Sequence, residues 1–411
     1  MDLQAFIDLL TPAGQAVLGA AARSDLSESG LLATATRLRE EHPAGLVPAA
    51  LTQARLRARA RAKFGADADR MYFTQAGLEQ ATRAVVAAHR ARRFAGSSSD
   101  VHPVLDLGCG IGADLIARAR AGVPGEGVEL DPLTAEVARA NLAALGLAGK
   151  ATVRRGDALD ADPAGYGAVF ADPGRRTVRG RVFDPRSYEP PLDRVMDLAA
   201  RAPAACVKVA PGIPYEAVWD GGTGAPLAGV PVEAEWISVA GEVKEAALWL
   251  GGLAGDARRR ATLLTSAGET ITLTPAPEPA EPPVRPWGRF LYEPDGAVIR
   301  AHLVAEAAGE VGGWLADPRI AYITSDTRAA TPFAAGYEIE DVLPFSVKRL
   351  RAELRRRGTG ILTIKKRGSA VDIDRLRRDL GFGRRKEGGE LTLVLTRVGR
   401  DPIALLATPV R

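Results

Sequence analysis

The sequence predicts an α/β protein in three parts: an N-terminal helical extension, a mostly parallel sheet with crossover helices, and a small C-terminal α+β domain. Three observations predict this architecture. Apolar residues recur at helical spacing over residues 1–70. From His102 onward, short apolar runs alternate with connections long enough for helices, the pattern of a parallel sheet. Six prolines between Pro275 and Pro286 then form a stiff linker before a second series of strands.

Residues 1–70 are the predicted helical extension, and the run LTQARLRARARAKFG within it predicts one strongly basic helix. Residues 71–275 are the predicted central domain. Its last two strands are joined by the short link 240–242, which predicts an antiparallel hairpin at the sheet edge. A second small hairpin is predicted over residues 258–275. The seven strands of the sheet are predicted at HPVLDLG, GVEL, ATVRRGD, AVFADP, AACVKVA, EAEWISV and KEAALWLGG.

Residues 287–411 are the predicted accessory domain, a loosely ferredoxin-like α+β fold. Its two main helices are predicted at VKRLRAELRRR and DIDRLRRDLG. Its strands are predicted at FLYEP, IAYITSD, GYEIEDVLPF, GILTIKKRG and ELTLVLTR.

The composition is that of a globular protein, with 46% hydrophobic and 25% charged residues. No apolar run reaches the roughly 18–20 residues that a membrane span needs, and the first residues lack the basic start of a signal peptide. Only two cysteines and four scattered histidines occur, so we expect neither a disulfide framework nor a metal site. These features predict a cytoplasmic protein without membrane contact.

The segment VLDLGCGIG, residues 104–112, carries the strongest functional signal. A buried strand ends in Asp106, and glycines at 108, 110 and 112 open a turn into a helix. Glycines at such a turn let backbone amides approach a ligand at a helix N-terminus. The same glycines would also suit a tight strand-to-helix turn that binds nothing.

The acidic residues that follow favour a nucleoside ligand. Glu129 closes the second strand about 20 residues after the loop, where a carboxylate accepts hydrogen bonds from both ribose hydroxyls. Asp157 follows the third strand, and an acid there suits the exocyclic amine of adenine. The third glycine of the loop comes at 112 and residue 113 is Ala, which departs from the dinucleotide fingerprint G-x-G-x-x-G. NAD binding is the alternative.

The loop together with Glu129 and Asp157 on three successive strands resembles motifs I to III of class I S-adenosylmethionine-dependent methyltransferases, over residues 71–252. The resemblance implies a seven-stranded Rossmann-like sheet and S-adenosylmethionine as the cofactor. In this central part it implies cofactor contacts at Asp106, Gly108, Cys109, Gly110, Glu129, Leu130, Asp157, Ala158 and Asp172.

The fourth strand ends in AVFADPGRR, residues 168–176. Amino-methylating enzymes of this class carry [DNS]-P-P-[YFW] here, whose oxygens orient the target amine toward the methyl group by alignment. Asp172 and Pro173 match the first two positions and are the candidate catalytic residues. Gly174 replaces the second proline and Arg175 the aromatic residue. Arg175 and Arg176 are candidate substrate contacts, because arginine stacks on bases and binds phosphates; a capped loop with solvated arginines is the alternative.

The segment MYFTQAGLEQATRAVV, residues 71–86, is similar to the one in trimethylguanosine synthase-type enzymes that opens a helix over the cofactor's methionine end. This similarity adds Phe73, Thr74 and Gln75 as candidate cofactor contacts; a helix start capped by Thr74 would fit the same residues. The whole chain resembles bacterial methyltransferase-like proteins with a THUMP-like tail, a resemblance that implies a class but no substrate.

The accessory domain is strongly basic. Between Pro344 and Lys386 the sequence has fifteen Lys or Arg and four Asp or Glu, an excess of eleven positive charges. Such a patch predicts contacts with RNA phosphates, which give affinity without sequence choice. Lys365, Lys366 and Arg367 are the candidate residues at the end of one strand, and further cations lie at 384–386. A solvated basic face is the alternative.

These observations predict an RNA methyltransferase, with an exocyclic amine of guanine as one target. Two alternatives remain open. One is a methyltransferase for a small molecule or a protein, with the tail used for dimerisation. The other is a catalytically silent RNA-binding protein that kept the fold. The sequence leaves the oligomeric state open.

Overall fold

The computed structural model describes residues 1–97, 103–175, 188–214, 218, 229–265, 268–278, 281–381 and 388–410. Within the strand at 174–175, the side chain of Arg175 lies outside this description. The chain divides into two compact units. The first combines Met1–Ala234 with Glu245–Arg258, and the second combines Glu235–Lys244 with Arg259–Arg411. The division into three domains at residues 1–70, 71–275 and 287–411 stays a prediction.

The first unit begins with helices, as predicted for residues 1–70. Side-chain oxygens cap the helix starts: Asp2 accepts from Ala5 N, and Thr11 accepts from Gly14 N. The predicted basic helix is a single helix whose Ala and Leu side chains are buried. The helices are α1 Leu3–Leu10, α2 Pro12–Ala22, α3 Leu31–Glu41, α4 Val47–Phe64, α5 Gln75–Gln80 and α6 Ala84–Ala95.

All seven strands predicted for the central sheet are present. The elements are β1 Val104–Leu107, α7 Ala113–Arg120, β2 Gly125–Glu129, α8 Pro132–Ala144, β3 Ala151–Arg155, β4 Ala168–Ala171, β5 Gly174–Arg175, β6 Tyr188–Glu189, α9 Leu192–Ala199, β7 Ala204–Val209, β8 Val232–Val239 and β9 Glu242–Gly251. The strand order is β3-β2-β1-β4-β7-β9-β8, with β9 antiparallel to β7; β5 pairs only with β6. The order reverses between β1 and β4, so their carboxyl ends form the crevice where open α/β sheets bind ligands.

The second unit contains a small hairpin and a seven-stranded sheet. Its elements are β10 Arg259–Leu264, β11 Thr270–Leu273, β12 Phe290–Pro294, α10 Gly296–Arg300, α11 Val304–Glu310, β13 Trp314–Leu315, β14 Ile323–Ser325, β15 Ala334–Pro344, α12 Val347–Arg356, β16 Thr359–Lys366, α13 Ile373–Leu380, β17 Gly389–Val398 and β18 Asp401–Pro409. The strand order is β13-β14-β12-β15-β18-β17-β16. Leucines of α12 and α13 pack on β16–β18, which turns the charged sides of these helices outward.

One detail of the predicted topology is wrong. The β8–β9 hairpin was expected at the sheet edge, but β8 also neighbours β10, and the Thr262 hydroxyl donates to Glu235 in that pair. The β10–β11 hairpin was predicted, but its pairing with β8 was not, because register between distant strands leaves no local sequence signal.

Two buried amide side chains attach the segment before α5 to the rest of the first unit. Gln53 exchanges two hydrogen bonds with the backbone of Phe73, at 2.6 and 3.0 Å. Asn141 accepts from Tyr72 N at 2.6 Å and donates to Tyr72 O and Ile111 O at 3.1 and 2.9 Å. The helical extension is therefore fixed to the glycine-rich loop that contains Ile111.

Two buried arginines, one on α6 and one on α7, pack on Phe170 of β4. Arg118 pairs with Asp106, and Arg90 pairs with Asp114 and Glu245. Both guanidinium groups lie over the ring of Phe170, 4.6 and 5.3 Å from its centroid. Buried charges of this kind are tolerated only when they are paired and hydrogen-bonded.

Within the described ranges, no single helix is both long and apolar enough to cross a membrane; α1 and α2 pass that test only as a bent pair. The same residues contain no group of acidic, His or Cys side chains that could hold a metal ion. Cys206 is buried in β7, and neither cysteine forms a disulfide.

We expect Asn141→Ala to lower the free energy of unfolding by at least about 1–3 kcal/mol, because it leaves buried backbone groups of Tyr72 and Ile111 unsatisfied. Urea unfolding measures the loss. Gln80→Ala, at an exposed position, is the control and should change stability by less than about 0.5 kcal/mol. An Asn141 variant as stable as this control would contradict the assigned role.

Candidate active site

The loop after β1 has the backbone of a ligand-binding turn. Gly108 and Gly110 have φ values of 75° and 56°, which L side chains rarely adopt. A Cβ atom added to either would meet no atom within 4 Å, so the space beside the loop is open. Gly112 then begins α7. The loop therefore lies at a helix N-terminus, but the backbone amides of Gly108 and Cys109 already donate to Val128 O, and that of Gly112 donates to Cys109 O. Ligand contacts through the amides of this loop stay a prediction.

Cys109 is a packing residue within this loop. A Cβ atom on Gly127 would lie 2.6 Å from its Sγ, so the thiol fills the space that this glycine leaves. Burial, reinforced by Asp106 and Glu129, raises the pKa of the Cys109 thiol well above its usual range. A neutral thiol is a poor nucleophile. Both backbone polar groups of Cys109 also take part in hydrogen bonds within the protein, so its contact with a cofactor stays a prediction.

Glu129 and Leu130 lie together at the carboxyl end of β2. The Glu129 carboxylate accepts from Gly110 N at 2.9 Å and from Asp131 N at 3.0 Å, so it is fixed beside the glycine loop. Leu130, the next residue, is 64% exposed at the same strand end. A fixed carboxylate next to an exposed apolar side chain fits a ribose and the face of an attached base.

Asp157 and Ala158 follow β3. Asp157 is exposed, and its carboxylate accepts from Leu159 N at 2.9 Å, which holds it at the start of a short 3₁₀ turn. Both residues therefore lie at the same carboxyl edge of the sheet as Glu129, one strand further out. This arrangement agrees with the predicted adenine contact, which stays a prediction.

Asp106 lies in the interior rather than on the surface of the site. It is 1% exposed and paired with Arg118, and its Oδ1 has no hydrogen-bond partner among the described residues. Burial raises its pKa to about 6, although Arg118 opposes the shift. Direct contact between Asp106 and a cofactor stays a prediction.

The upstream segment borders the glycine loop as predicted, but its side chains differ in role. Phe73 is fully buried with its ring 5.5 Å from that of Phe64, and Gln53 engages both of its backbone polar groups, so a contact of Phe73 with the cofactor stays a prediction. Thr74 caps α5 by accepting from Gly77 N at 2.9 Å, and Gln75 is exposed. A Cβ atom on Gly77 would lie 2.4 Å from the Ile111 side chain, so α5 packs directly against the loop.

Asp172 lies at the carboxyl end of β4, beside the glycine loop at the end of β1. Its Oδ2 pairs with Lys208 Nζ at 2.5 Å, and Lys208 also donates to the Thr82 hydroxyl at 3.2 Å. Its Oδ1 has no hydrogen-bond partner in the part of the chain that the structure describes. Pro173 is buried, and Arg176 and the Arg175 side chain lie outside the described residues.

Sequence reasoning missed Lys208 and Thr82. Lys208 is the charged residue in the otherwise apolar strand AACVKVA, a signal that could have identified it. Thr82 lies between α5 and α6, and no local pattern distinguishes it from other threonines.

In the second unit, the predicted RNA-binding residues separate into two groups. Lys365 pairs with Glu293 at 2.5 Å and Arg367 approaches it at 3.9 Å, so both cations are partly neutralised. Lys366 is exposed and donates to Val371 O. Exposed cations without a partner among the described residues lie instead on α12 and α13: Lys348, Arg349, Arg355 and Arg378. The cations at 384–386 lie outside the described residues.

Comparisons with known proteins agree with this geometry. An uncharacterized S-adenosylmethionine-dependent methyltransferase, found in two strains of Mycobacterium tuberculosis, is 39% identical over 333 residues. The match covers 81% of this chain and 86% of the relative. A THUMP domain-like family model matches residues 334–409, and a domain of unknown function (DUF8688) matches residues 2–60.

A crystal structure of a proposed methyltransferase from Porphyromonas gingivalis W83 shares the fold, with a TM-score of 0.74 at 21% identity. The structural match covers 98% of this chain and 99% of the Porphyromonas gingivalis chain.

The chain therefore belongs to the S-adenosylmethionine-dependent methyltransferases. The residues fit the cofactor: an open glycine loop, a carboxylate fixed beside it and an exposed leucine meet at one sheet edge. When bound, S-adenosylmethionine supplies a methyl group on a positively charged sulfur. The resemblance deduced from the sequence is thus confirmed at the level of family, fold and cofactor.

We expect Glu129→Ala to weaken S-adenosylmethionine binding by about tenfold or more, because hydrogen bonds to a charged group contribute roughly 1.5–3 kcal/mol. Titration calorimetry measures the affinity. Glu129→Gln keeps one acceptor oxygen and should lose less. Unchanged affinity in a folded Glu129→Ala protein would contradict the assigned ribose contact.

Proposed function

We propose that this protein methylates RNA, with Asp172 holding the acceptor group and an exocyclic amine of guanine as the first acceptor to test. The observation that carries the proposal is the position of Asp172, at the carboxyl end of β4 next to the glycine loop of β1. An acceptor there would lie beside the cofactor contacts proposed at the ends of β1, β2 and β3.

Asp172 has the chemistry that amine methylation requires. Its Oδ2 is engaged by Lys208, and no described residue binds its Oδ1, which in this proposal accepts a hydrogen bond from an acceptor N–H. That bond would orient the nitrogen lone pair, and alignment of this kind supplies much of the catalysis in such reactions. Arg175 and Arg176 follow directly in the sequence and are proposed contacts for the base or its phosphate.

The positive charge of the predicted accessory domain, residues 287–411, supports RNA as the substrate. The THUMP domain-like match coincides with the elements that carry the excess of positive charge. The outward sides of α12 and α13 present Lys348, Arg349, Arg355 and Arg378, which together form the surface that we call the basic face. Lys366 belongs to the proposed RNA surface, whereas Lys365 and Arg367 share their charge with Glu293 and should contribute less.

Incubating the protein with labelled cofactor and total cellular RNA tests the proposal directly. Label in RNA that depends on the protein would support it. If label appears only in protein or only in small molecules, RNA is not the substrate and the labelled class takes its place in the proposal.

We expect Asp172→Ala to leave cofactor affinity nearly unchanged while methyl transfer falls by about a hundredfold, because an acceptor that is not oriented loses its alignment. Calorimetry and a transfer assay on the RNA identified above measure the two effects. Wild-type turnover in the variant would remove Asp172 from the acceptor site.

We expect the triple variant Lys348→Gln, Arg349→Gln, Arg355→Gln to weaken RNA binding at every sequence tested. Each phosphate contact adds about −0.7 to the slope of log affinity against log salt for single strands, so three lost contacts should flatten that slope by roughly two units. Binding curves at several salt concentrations measure it.

The double variant Lys365→Gln, Arg367→Gln is the matched control for the basic face. These cations are paired with Glu293. We therefore expect the control to lower the free energy of unfolding and to leave the salt slope of RNA binding nearly unchanged. Equal slopes for the triple variant and wild type would leave the basic face without a role in RNA binding.

A further inference from the structure

Lys208 is a charged side chain next to the candidate active site that the sequence did not predict as a site residue. It lies in β7, whose neighbour β4 carries Asp172, and its side chain is only 16% exposed. A half-buried ammonium group loses hydration, and this cost must be offset by fixed partners. The structure provides two: the carboxylate of Asp172 at 2.5 Å and the hydroxyl of Thr82 at 3.2 Å.

Thr82 extends these contacts into the interior. It is buried, and its hydroxyl oxygen also accepts from Arg90 Nη2 at 3.1 Å. Arg90 is held in turn by Asp114 at 2.5 Å and by Glu245. A continuous chain of polar contacts therefore runs from the buried acids through Arg90, Thr82 and Lys208 to Asp172.

The same chain connects Asp172 to the segment beside the glycine loop. Thr82 lies just after α5, and Lys63 fixes the end of that helix by donating to the carbonyls of Leu78, Glu79 and Ala81 at 2.6 to 3.0 Å. The start of α5 packs on Ile111 through Gly77. The position of Asp172 is thus coupled to the helix that borders the cofactor loop.

We propose that Lys208 is a positioning residue for methyl transfer: it fixes the Asp172 carboxylate through Oδ2, with Thr82 as its second anchor, so that Oδ1 faces the acceptor. The inference rests on the proposed role of Asp172 as the acceptor-binding group. Lys208 acts through Asp172 and needs no contact with the cofactor.

A double-mutant cycle tests this role. Lys208→Met, Asp172→Ala and the double variant are compared in single-turnover methyl transfer, with Lys208→Arg to restore the charge and Lys150→Met, at an exposed lysine, as the matched control. We expect Lys208→Met to lower the rate by at least about tenfold, with S-adenosylmethionine affinity and acceptor KM changed by less than about twofold. Lys208→Arg should recover most of the rate, because it keeps a charged donor.

The cycle separates positioning from an independent role. In the Asp172→Ala background, Lys208→Met should change the rate by less than about twofold, because the group that it positions has been removed. An equal loss in both backgrounds would overturn the proposal, as would a Lys208→Met protein with wild-type rate. The proposal would also be overturned if Lys208→Met lowered the affinity for S-adenosylmethionine by the same factor as the rate, because Lys208 would then maintain the structure of the whole site.

The pairing is also tested without any acceptor. Urea unfolding of wild type, the two single variants at Lys208 and Asp172 and their double variant should give non-additive losses of stability, since the two side chains contact each other. Additive losses would overturn the pairing itself. If wild-type protein methylates no RNA, the proposed substrate fails, while the unfolding cycle still decides whether Lys208 and Asp172 act as a pair.

Discussion

The side chain of Asn141 provides the constraint on which the site in the first unit depends. Its three hydrogen bonds join α8 to the backbone of Tyr72 before α5 and of Ile111 in the glycine loop. Because the amide is buried, losing any of these bonds leaves a backbone group without water to replace it. The N-terminal helices and the cofactor loop are therefore held together by polar contacts as well as by apolar packing.

Two buried arginines form ion pairs next to the central strands of the sheet in the first unit. Arg90 and Arg118 enclose Phe170 and pair with acids from α7, β1 and β9. Replacing such pairs by apolar residues is often neutral or stabilising, so their value for stability alone is weak. Their geometry suggests another use: Arg90 reaches Thr82, and through it the Lys208–Asp172 pair at the surface of the site.

The sequence predicted the parts of this protein that depend on local pattern. Strands β1–β4, β7, β8 and β9 follow from apolar runs, and the glycine loop and Glu129 follow from spacing along the chain. What it could not predict depends on contacts between distant residues. Lys208 and Asp172 are 36 positions apart and Thr82 lies a further 90 upstream. Likewise, the pairing of Lys365 with Glu293 crosses 72 positions, so charge counting alone could not show that this cation has an acidic partner.

These contacts change what the Asp-Pro-Gly-Arg sequence after β4 implies. The motif that this sequence resembles has an aromatic residue for stacking on the base; here Arg175 stands at that position, and Lys208 engages one oxygen of Asp172. Fewer fixed contacts then remain to select the acceptor atom. Phosphate contacts on the basic face would add affinity without sequence choice. In the proposed reaction, selection of the methylated atom then depends on the residues around Asp172 and on its Oδ1, which has no partner among the described residues.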